Sequence, residues 1–308
     1  MSQLNPGLKD KKVFGILGPT SSGKTTLALK IAKEMDAEIV SVDSRQLIKR
    51  MDVGTGKVPV SGGFKAIRSD GVWEINGVKV WGYDVFNPDQ FFTVQDYLDF
   101  IGQIKFTKKN VLFVGGTGFY FDVILGNVKL SGVEPNKSLR DSLQNKTSNE
   151  LFETLEGLDA RKASSIDRHN KVRLIRAIEI AKTGDIGIEP RTVTMAKLIG
   201  LMPDRSLLYG RSDLWVDSVF ELRLIDEVQK LVTLGFRYTP PMKGLIYKTA
   251  LRLIDKEISE EECVQRSKFD IHAYIRRQIS YFNRIENVEW FDPSKKESVD
   301  DILNLLKL

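Results

Sequence analysis

The sequence predicts an α/β protein: a parallel-sheet core, an inserted helical domain, and C-terminal helices packed back on the core. Three observations lead there. Strand and helix patterns alternate through the first third of the chain. Two of those strands open through glycine-rich turns directly into helices. After Gly126 the strand pattern vanishes and short helices take over.

Taken in order, Lys12–Leu17 (KVFGIL) reads as a buried strand, followed by a glycine-rich turn and a helix from Lys24 to about Met35. Glu38–Val42 is a second strand. Two short strands flank Asn76-Gly77, a pair that accepts the positive φ of a type I′ hairpin turn. Thr93 caps a helix predicted to reach about Phe106, and Asn110–Val114 (NVLFV) is another strand. It leads through Gly115-Gly116-Thr117-Gly118 into an apolar helix around Phe119–Leu125. Strand, turn and helix in repetition place parallel strands under covering helices. Pro135 to Thr183 then reads as a set of short helices, closed by Thr183-Gly184, a usual helix stop. A strand-like run, Thr192–Leu201, returns the chain to the sheet. Long helices follow: about Asp213–Leu234, a segment after Pro240-Pro241, and Ser259–Ile285. The expected domains are 1–126, the first part of the core; 127–191, the helical insertion; and 192–308, the return strand and the helices that complete the core.

Composition narrows the function. With 308 residues and 42% hydrophobic content, the chain has enough apolar side chains for a full core and too many for disorder. No apolar run approaches the roughly 20 residues needed to span a bilayer, and the polar start lacks the apolar stretch of a secretory signal. A single cysteine, Cys263, excludes an internal disulfide framework, and with only His169 and His272 a zinc cluster is not expected. These features predict a cytoplasmic protein with no membrane partner. The net charge of +5 is mild, but it is unevenly placed. Residues 161–215 carry 11 basic and 6 acidic side chains, and residues 266–284 carry 5 and 1. Such stretches either solvate helix faces or meet an anionic partner.

The first glycine-rich turn carries chemistry. Gly18-Pro19-Thr20-Ser21-Ser22-Gly23-Lys24-Thr25 fits G-x-x-x-x-G-K-[ST], the P-loop pattern, and lies between a strand and a helix as the mechanism requires. Its glycines let successive N–H groups point inward, and the following helix adds its positive end. Lys24 neutralises phosphate charge and the Thr25 hydroxyl ligates Mg²⁺. The string predicts a phosphate or diphosphate ligand without naming the reaction. Asp43-Ser44-Arg45-Gln46 follows the second strand, and ligands of open α/β sheets sit at the carboxyl ends of strands. Asp43 there either accepts a proton from a nucleophile or caps a following helix. Thr117 either caps its helix or presents its hydroxyl to a substrate.

The combination resembles the tRNA dimethylallyltransferase (tRNA isopentenyltransferase) family. The likeness runs through GPTSSGKT, VDSRQ, MDVGTGKVP (51–59), VGGTGFYFDVIL (114–125), RLIRAIEIAKTG (173–184), LLYGRSDLWVD (207–217) and RRQISYFNR (276–284). The first two and the GGTG segment are the specific ones. Members move a dimethylallyl group from its diphosphate to the exocyclic amine of the adenosine 3′ to the anticodon, in tRNAs that read codons beginning with U. The resemblance implies that residues 18–25 hold dimethylallyl diphosphate, with Arg211 helping and Mg²⁺ as cofactor, rather than driving ATP hydrolysis. It implies that Asp43 takes the amine proton, with Thr117 beside it. Ser44, Arg45 and Gln46 hold the flipped adenosine, Arg140 contacts nearby RNA, and Val172, Arg173, Leu174, Ile175 and Arg176 grip the anticodon stem-loop. A monomer is expected. His169-Asn170, Trp215, Ile246 and Gly82-Tyr83 depart from the family pattern, Trp215 by replacing an arginine.

The adenine amine is a poor nucleophile, so a positioned carboxylate and enforced proximity matter, and the base must leave its stack to reach them. Arg173 and Arg176 are three apart and share a helix face on which to clamp phosphates. Tyr274, Arg277, Tyr281 and Arg284 also fall near one face, where they either stack on loop bases or, for the tyrosines, pack into the core. Two other readings compete with prenyl transfer: a small-molecule or nucleoside kinase sharing the P-loop, and a non-catalytic tRNA-binding relative.

Overall fold

A computed structural model describes residues 2–59 and 63–307. The chain divides into two compact units: one of residues 126–190 with the extreme N-terminus, and one of residues 3–125 and 191–308.

The larger unit is built on a sheet with eight strands among the described residues. In chain order these are β1 (Lys12–Leu17), β2 (Ala37–Ser41), β3 (Ala66–Ser69), β4 (Val72–Ile75), β5 (Val78–Trp81), β6 (Asn110–Gly115), β7 (Lys197–Leu201) and β8 (Glu289–Phe291). Across the sheet they lie in the order β8-β7-β1-β6-β2-β5-β4-β3. The central pairs are parallel, and only the β3-β4-β5 end is antiparallel. Central strands buried on both faces read as continuous apolar runs, which is why β1 and β6 are legible in the sequence. The Asn76-Gly77 turn has φ of 49° and 82°, as a type I′ hairpin requires.

Helix α1 (Lys24–Glu34) packs Leu27, Ile31 and Ala32 on the sheet in one cluster with Ile302 and Leu303 of α12 (Lys296–Lys307). Neither α12 nor β8 is marked by the sequence patterns above. Helix α2 (Val94–Gln103) ends short of the expected Phe106, because Ile104 turns extended. Its start is as expected: Thr93 caps it in a reciprocal box with Asp96. Helix α3 is Gly118–Leu125.

The smaller unit holds α4 (Lys137–Leu143), α5 (Ser148–Leu158), α6 (Ala160–Ser165) and α7 (Lys171–Thr183), around Leu151, Leu155, Leu174 and Ile178. Gly184 closes α7 with φ +85°, the conformation that makes glycine the usual stop.

Past β7, the expected helix over 213–234 is two helices. They are α8 (Arg205–Glu221) and α9 (Leu224–Thr233), broken where Arg223 adopts φ +69°. No glycine or proline announces that break. Helices α8 and α9 pack with α10 (Leu245–Ile254) and α11 (Glu260–Phe282) around Val216, Leu231, Tyr247 and Ile275. Ile48 and Met51 from the segment after β2 join that core, which ties the helices to the carboxyl end of β2.

Candidate active site

The neighbours β1, β6 and β2 deliver three turns to one place. Leu17 pairs with Gly115 and Ser41 with Val114, so the P-loop, the Gly115–Gly118 turn and the Asp43 turn start at one level of the sheet. This is the carboxyl end of the strands, where open α/β sheets bind ligands.

The P-loop reverses through two left-handed residues, Ser21 (φ +65°) and Gly23 (φ +86°), before α1 begins at Lys24. Gly23 supplies no side-chain cap, so the cap position itself satisfies none of the free N–H groups at the helix's positive end. Thr20, Ser21, Gly23, Lys24 and Thr25 line a cleft. Gly18, Pro19 and Ser22 build the loop from behind. A Cβ on Gly18 would lie 2.6 Å from the Leu201 carbonyl oxygen, and Ser22 is fully buried with its Oγ unpartnered. The Ser22 side chain is thus packed inside the loop, and the phosphate contact expected of this residue does not fall to its hydroxyl. Lys24 Nζ folds back to donate to the Pro19 carbonyl at 3.1 Å. Burial lowers its pKa, and the nearby Asp43 carboxylate opposes that shift.

Asp43 opens a turn rather than capping a helix. Its Oδ1 accepts the Arg45 N–H at 3.0 Å, while Oδ2 lies 3.5 Å from the point that a Cβ on Gly116 would occupy. Lys24 Nζ lies 3.5 Å from the same point. One carboxylate oxygen is thus spent on the turn, and the other lies near the same point beside Gly116 as Lys24 Nζ. Thr117 Oγ1 accepts the Ser44 N–H at 3.1 Å, joining the two turns. Gln46 is buried, with its amide donating to the Gly56 carbonyl and its oxygen paired with the Ser41 hydroxyl. Arg45, Arg211, Tyr274 and Trp215 complete the cleft with apolar Val58, Leu245 and Ile271. Arg277 is exposed, its guanidinium 5.8 Å from the Tyr274 ring. Tyr281 instead packs against Gly118 and donates to Asp122 at 2.7 Å.

Three supporting residues escape sequence reasoning. Glu227 on α9 accepts the N–H groups of Asp52, Val53 and Gly54 and the Tyr247 hydroxyl, fixing the cleft segment that follows Met51. Lys57, fully buried, is held from within that segment by Asp52, by Asp84 and by the Ile48 carbonyl. Gln278 on α11 contacts both the P-loop and the Gly116 carbonyl. The backbone partners of Glu227 and Gln278 lie 162 or more positions away, so no local pattern marks them, while Lys57 is marked by its burial among carboxylates rather than by its spacing.

Within the helical unit, the expected RNA grip divides. Glu179 is 1% exposed and takes a two-point contact from Arg140, at 2.7 Å for each bond, and a third bond from Arg176. Burial pushes the Glu179 pKa up, but these bonds and the Asn136 N–H outweigh it and leave the pKa lowered. Arg176 also donates to the Ser131 hydroxyl and the Val133 carbonyl. Leu174 is fully buried and Ile175 packs on the same cluster, which corrects the expectation that the whole run meets RNA. Val172 and Arg173 are the exposed members. Arg176→Ala should consequently destabilise the unit by about 1.5–3 kcal/mol, because the buried carboxylate loses one charge-assisted bond while keeping those from Arg140. Arg173→Ala should leave the thermal melt unchanged. Equal melts for both variants would contradict this division.

Comparison with known proteins matches this arrangement to one group. A family model described as IPP transferase matches residues 46–285, and one described as isopentenyl transferase matches residues 11–76. A tRNA dimethylallyltransferase of Clostridioides difficile is 33% identical over 304 residues, covering 94% of each chain. A solved tRNA isopentenylpyrophosphate transferase of Bacillus halodurans superimposes with a TM-score of 0.67 at 29% identity, covering 96% of each chain. A eukaryotic dimethylallyltransferase solved acting on tRNA shares the fold, with a TM-score of 0.70 at 19% identity over 92% of this chain and 74% of that one. Matched over most of its length by the family model, and a third identical to relatives along nearly all of it, the chain belongs to the IPP transferase family.

Proposed function

We propose that the protein transfers a dimethylallyl group from dimethylallyl diphosphate to the exocyclic amine of the adenosine 3′ to the anticodon, in tRNAs reading codons that begin with U. The observation that carries this reading is the convergence of Asp43 Oδ2 and Lys24 Nζ on one point beside Gly116. A proton acceptor and a phosphate-binding cation face one space, with an apolar wall beside them.

The diphosphate lies on the loop N–H groups at the α1 N-terminus, with Lys24 and Arg211 supplying positive charge. The prenyl tail lies along Val58, Leu245, Ile271 and Trp215. The amine nitrogen forms a bond to the first prenyl carbon as the carbon–oxygen bond breaks, and the electron pair leaves with the diphosphate. The amine proton passes to Asp43 Oδ2, while the Arg45 N–H holds Oδ1 and fixes the carboxylate plane. Thr117 positions this turn through the Ser44 N–H. Trp215, in place of an arginine, trades a cation for apolar wall.

Among the described residues no group of three His, Cys, Asp or Glu side chains could hold a metal unaided. The donor set fits Mg²⁺ only as a partner of the diphosphate, with the Thr25 hydroxyl as the protein's hard-oxygen ligand. When bound there, Mg²⁺ supplies neutralisation of the leaving diphosphate. Exposed Arg173, Val172 and Arg277 are the side chains we assign to the anticodon stem-loop. One chain supplies every named group, so the working unit we propose is a monomer in the cytoplasm, where tRNA lies. Among the described residues no helix is long and apolar enough to cross a membrane.

Calorimetry in Mg²⁺ with three ligands tests the reading. Dimethylallyl diphosphate should bind more tightly than inorganic diphosphate, because the apolar wall adds burial. ATP binding tighter than either would favour the kinase reading and overturn this one. Lys24→Ala should weaken the donor by about 1.5–3 kcal/mol, since a buried anion loses its charge-assisted partner. Unchanged donor affinity would remove Lys24 from the site.

A further inference from the structure

Gln278 is 5% exposed and its amide is fully used. Oε1 accepts the Thr20 backbone N–H at 2.9 Å, and Nε2 donates to the Gly116 carbonyl at 2.9 Å. Thr20 belongs to the P-loop and Gly116 to the turn after β6. The ladder between β1 and β6 ends at Leu17–Gly115, and Gln278 spans the two turns just beyond it. The fit is close: a Cβ on Gly116 would lie 2.7 Å from Nε2. Gly116 is therefore the residue that admits the amide. The same point lies 3.5 Å from both Asp43 Oδ2 and Lys24 Nζ, so the amide sits beside the base and the phosphate cation together.

Spacings of three and four along α11 put Ile271, Tyr274, Gln278 and Tyr281 on one face. Ile271 and Tyr274 line the cleft, and Tyr281 reaches Asp122 on α3. Burial and then the Asp43 carboxylate push the Tyr274 phenol pKa up, while a hydrogen bond with Gln278 opposes them.

We propose that Gln278 is a positioning residue for the transfer: its amide clamps the P-loop to the Gly115–Gly118 turn and so sets the separation of the diphosphate from Asp43. This deepens, and rests on, the prenyl-transfer reading. The residue type suits the task. An amide offers a donor and an acceptor on one rigid plane and carries no charge. It braces a phosphate site without repelling the anion or competing with Lys24. It also takes the Thr20 N–H out of the phosphate-facing set, which makes that N–H a strut of the loop. A side chain of equal length without polar atoms would leave the Thr20 N–H and Gly116 carbonyl unpaired.

The test uses Gln278→Met and Gln278→Glu in the full chain, each first checked by circular dichroism and thermal melt. For Gln278→Met, turnover at saturating substrates should fall at least tenfold and the donor KM should rise, while the tRNA KM stays at the wild-type value. That split separates positioning from general loosening, which would move both KM values. Gln278→Glu keeps the acceptor for Thr20 and loses the donor to Gly116, so it should retain more turnover than Gln278→Met and bind donor more weakly than wild type. Calorimetry with inorganic diphosphate and Mg²⁺ is run beside the assays and needs no tRNA. If wild type transfers nothing, the prenyl reading fails. A weaker diphosphate isotherm for Gln278→Met would then still support the loop clamp. Wild-type kinetics and wild-type diphosphate binding in folded Gln278→Met would overturn the proposal, as would tighter diphosphate binding through a released Thr20 N–H. A variant that does not fold is replaced by Gly116→Ala. That substitution intrudes on the same amide and should give the same KM split; its wild-type kinetics would equally overturn the proposal.

Discussion

Asp43→Asn is expected to slow dimethylallyl transfer by about 10²–10⁴ at saturating substrates, equivalent to roughly 3–5 kcal/mol of barrier. Asparagine keeps the size of the side chain and the acceptor for the Arg45 N–H, so the turn should survive. What it loses is the proton-accepting oxygen that faces Lys24 and Gly116. Binding of tRNA and of diphosphate should change little, because the turn geometry is retained. Single-turnover rates check this, since they are insensitive to product release. A near wild-type rate would leave Asp43 as the holder of its turn, and another base would be required.

Lys57→Ala should have the largest effect on stability. Its ammonium is fully buried against Asp52, Asp84 and the Ile48 carbonyl, and Trp73 Nε1 donates to the second oxygen of Asp84. Removing the cation leaves two partly buried carboxylates facing each other, at a cost of about 3–5 kcal/mol. For a unit of this size the melt should drop by roughly 10 °C. Lys57→Met fills the volume but leaves the same charges, so it should recover little. Adding Asp84→Asn to Lys57→Met should recover part of the loss, a coupling visible in a double-mutant cycle. Additive losses would show that the pair does not act as a unit. Because Gly54, Thr55, Gly56, Val58 and Pro59 around Lys57 line the cleft, the destabilised variant should also bind donor more weakly.

The sequence made the parallel core legible because its signals are local. The β1–loop–α1 passage combines an apolar run, two left-handed positions and a helix start within a few residues. The Asn76-Gly77 turn and the Gly184 stop likewise depend on the φ of single residues. The break at Arg223 was illegible for the converse reason: a non-glycine residue takes φ +69° between two helices that share one core, and no local signal marks it. Supporting groups were also hidden. Gln278 meets Thr20 across 258 positions and Gly116 across 162, and Glu227 meets Asp52 across 175. Periodicity placed Arg173 and Arg176 on one face correctly in principle, yet it could not see Glu179. That buried acid converts Arg176 from a presented cation into an internal brace. A charge count has the same blindness, since Arg176 contributes to the basic excess of residues 161–215 while bonded to that acid.

The central claim is that the space between Lys24 and Asp43 performs prenyl transfer to a tRNA adenosine. Its most direct test is to incubate the protein with Mg²⁺, dimethylallyl diphosphate and unmodified tRNA, then digest the RNA and analyse its nucleosides by mass. The account predicts one dimethylallyl group on the adenosine 3′ to the anticodon of tRNAs reading U-initial codons, formed with release of diphosphate. It also predicts that Asp43→Asn forms the same product far more slowly. Unmodified tRNA after complete incubation, or ATP-dependent phosphorylation of a nucleoside in its place, would contradict it.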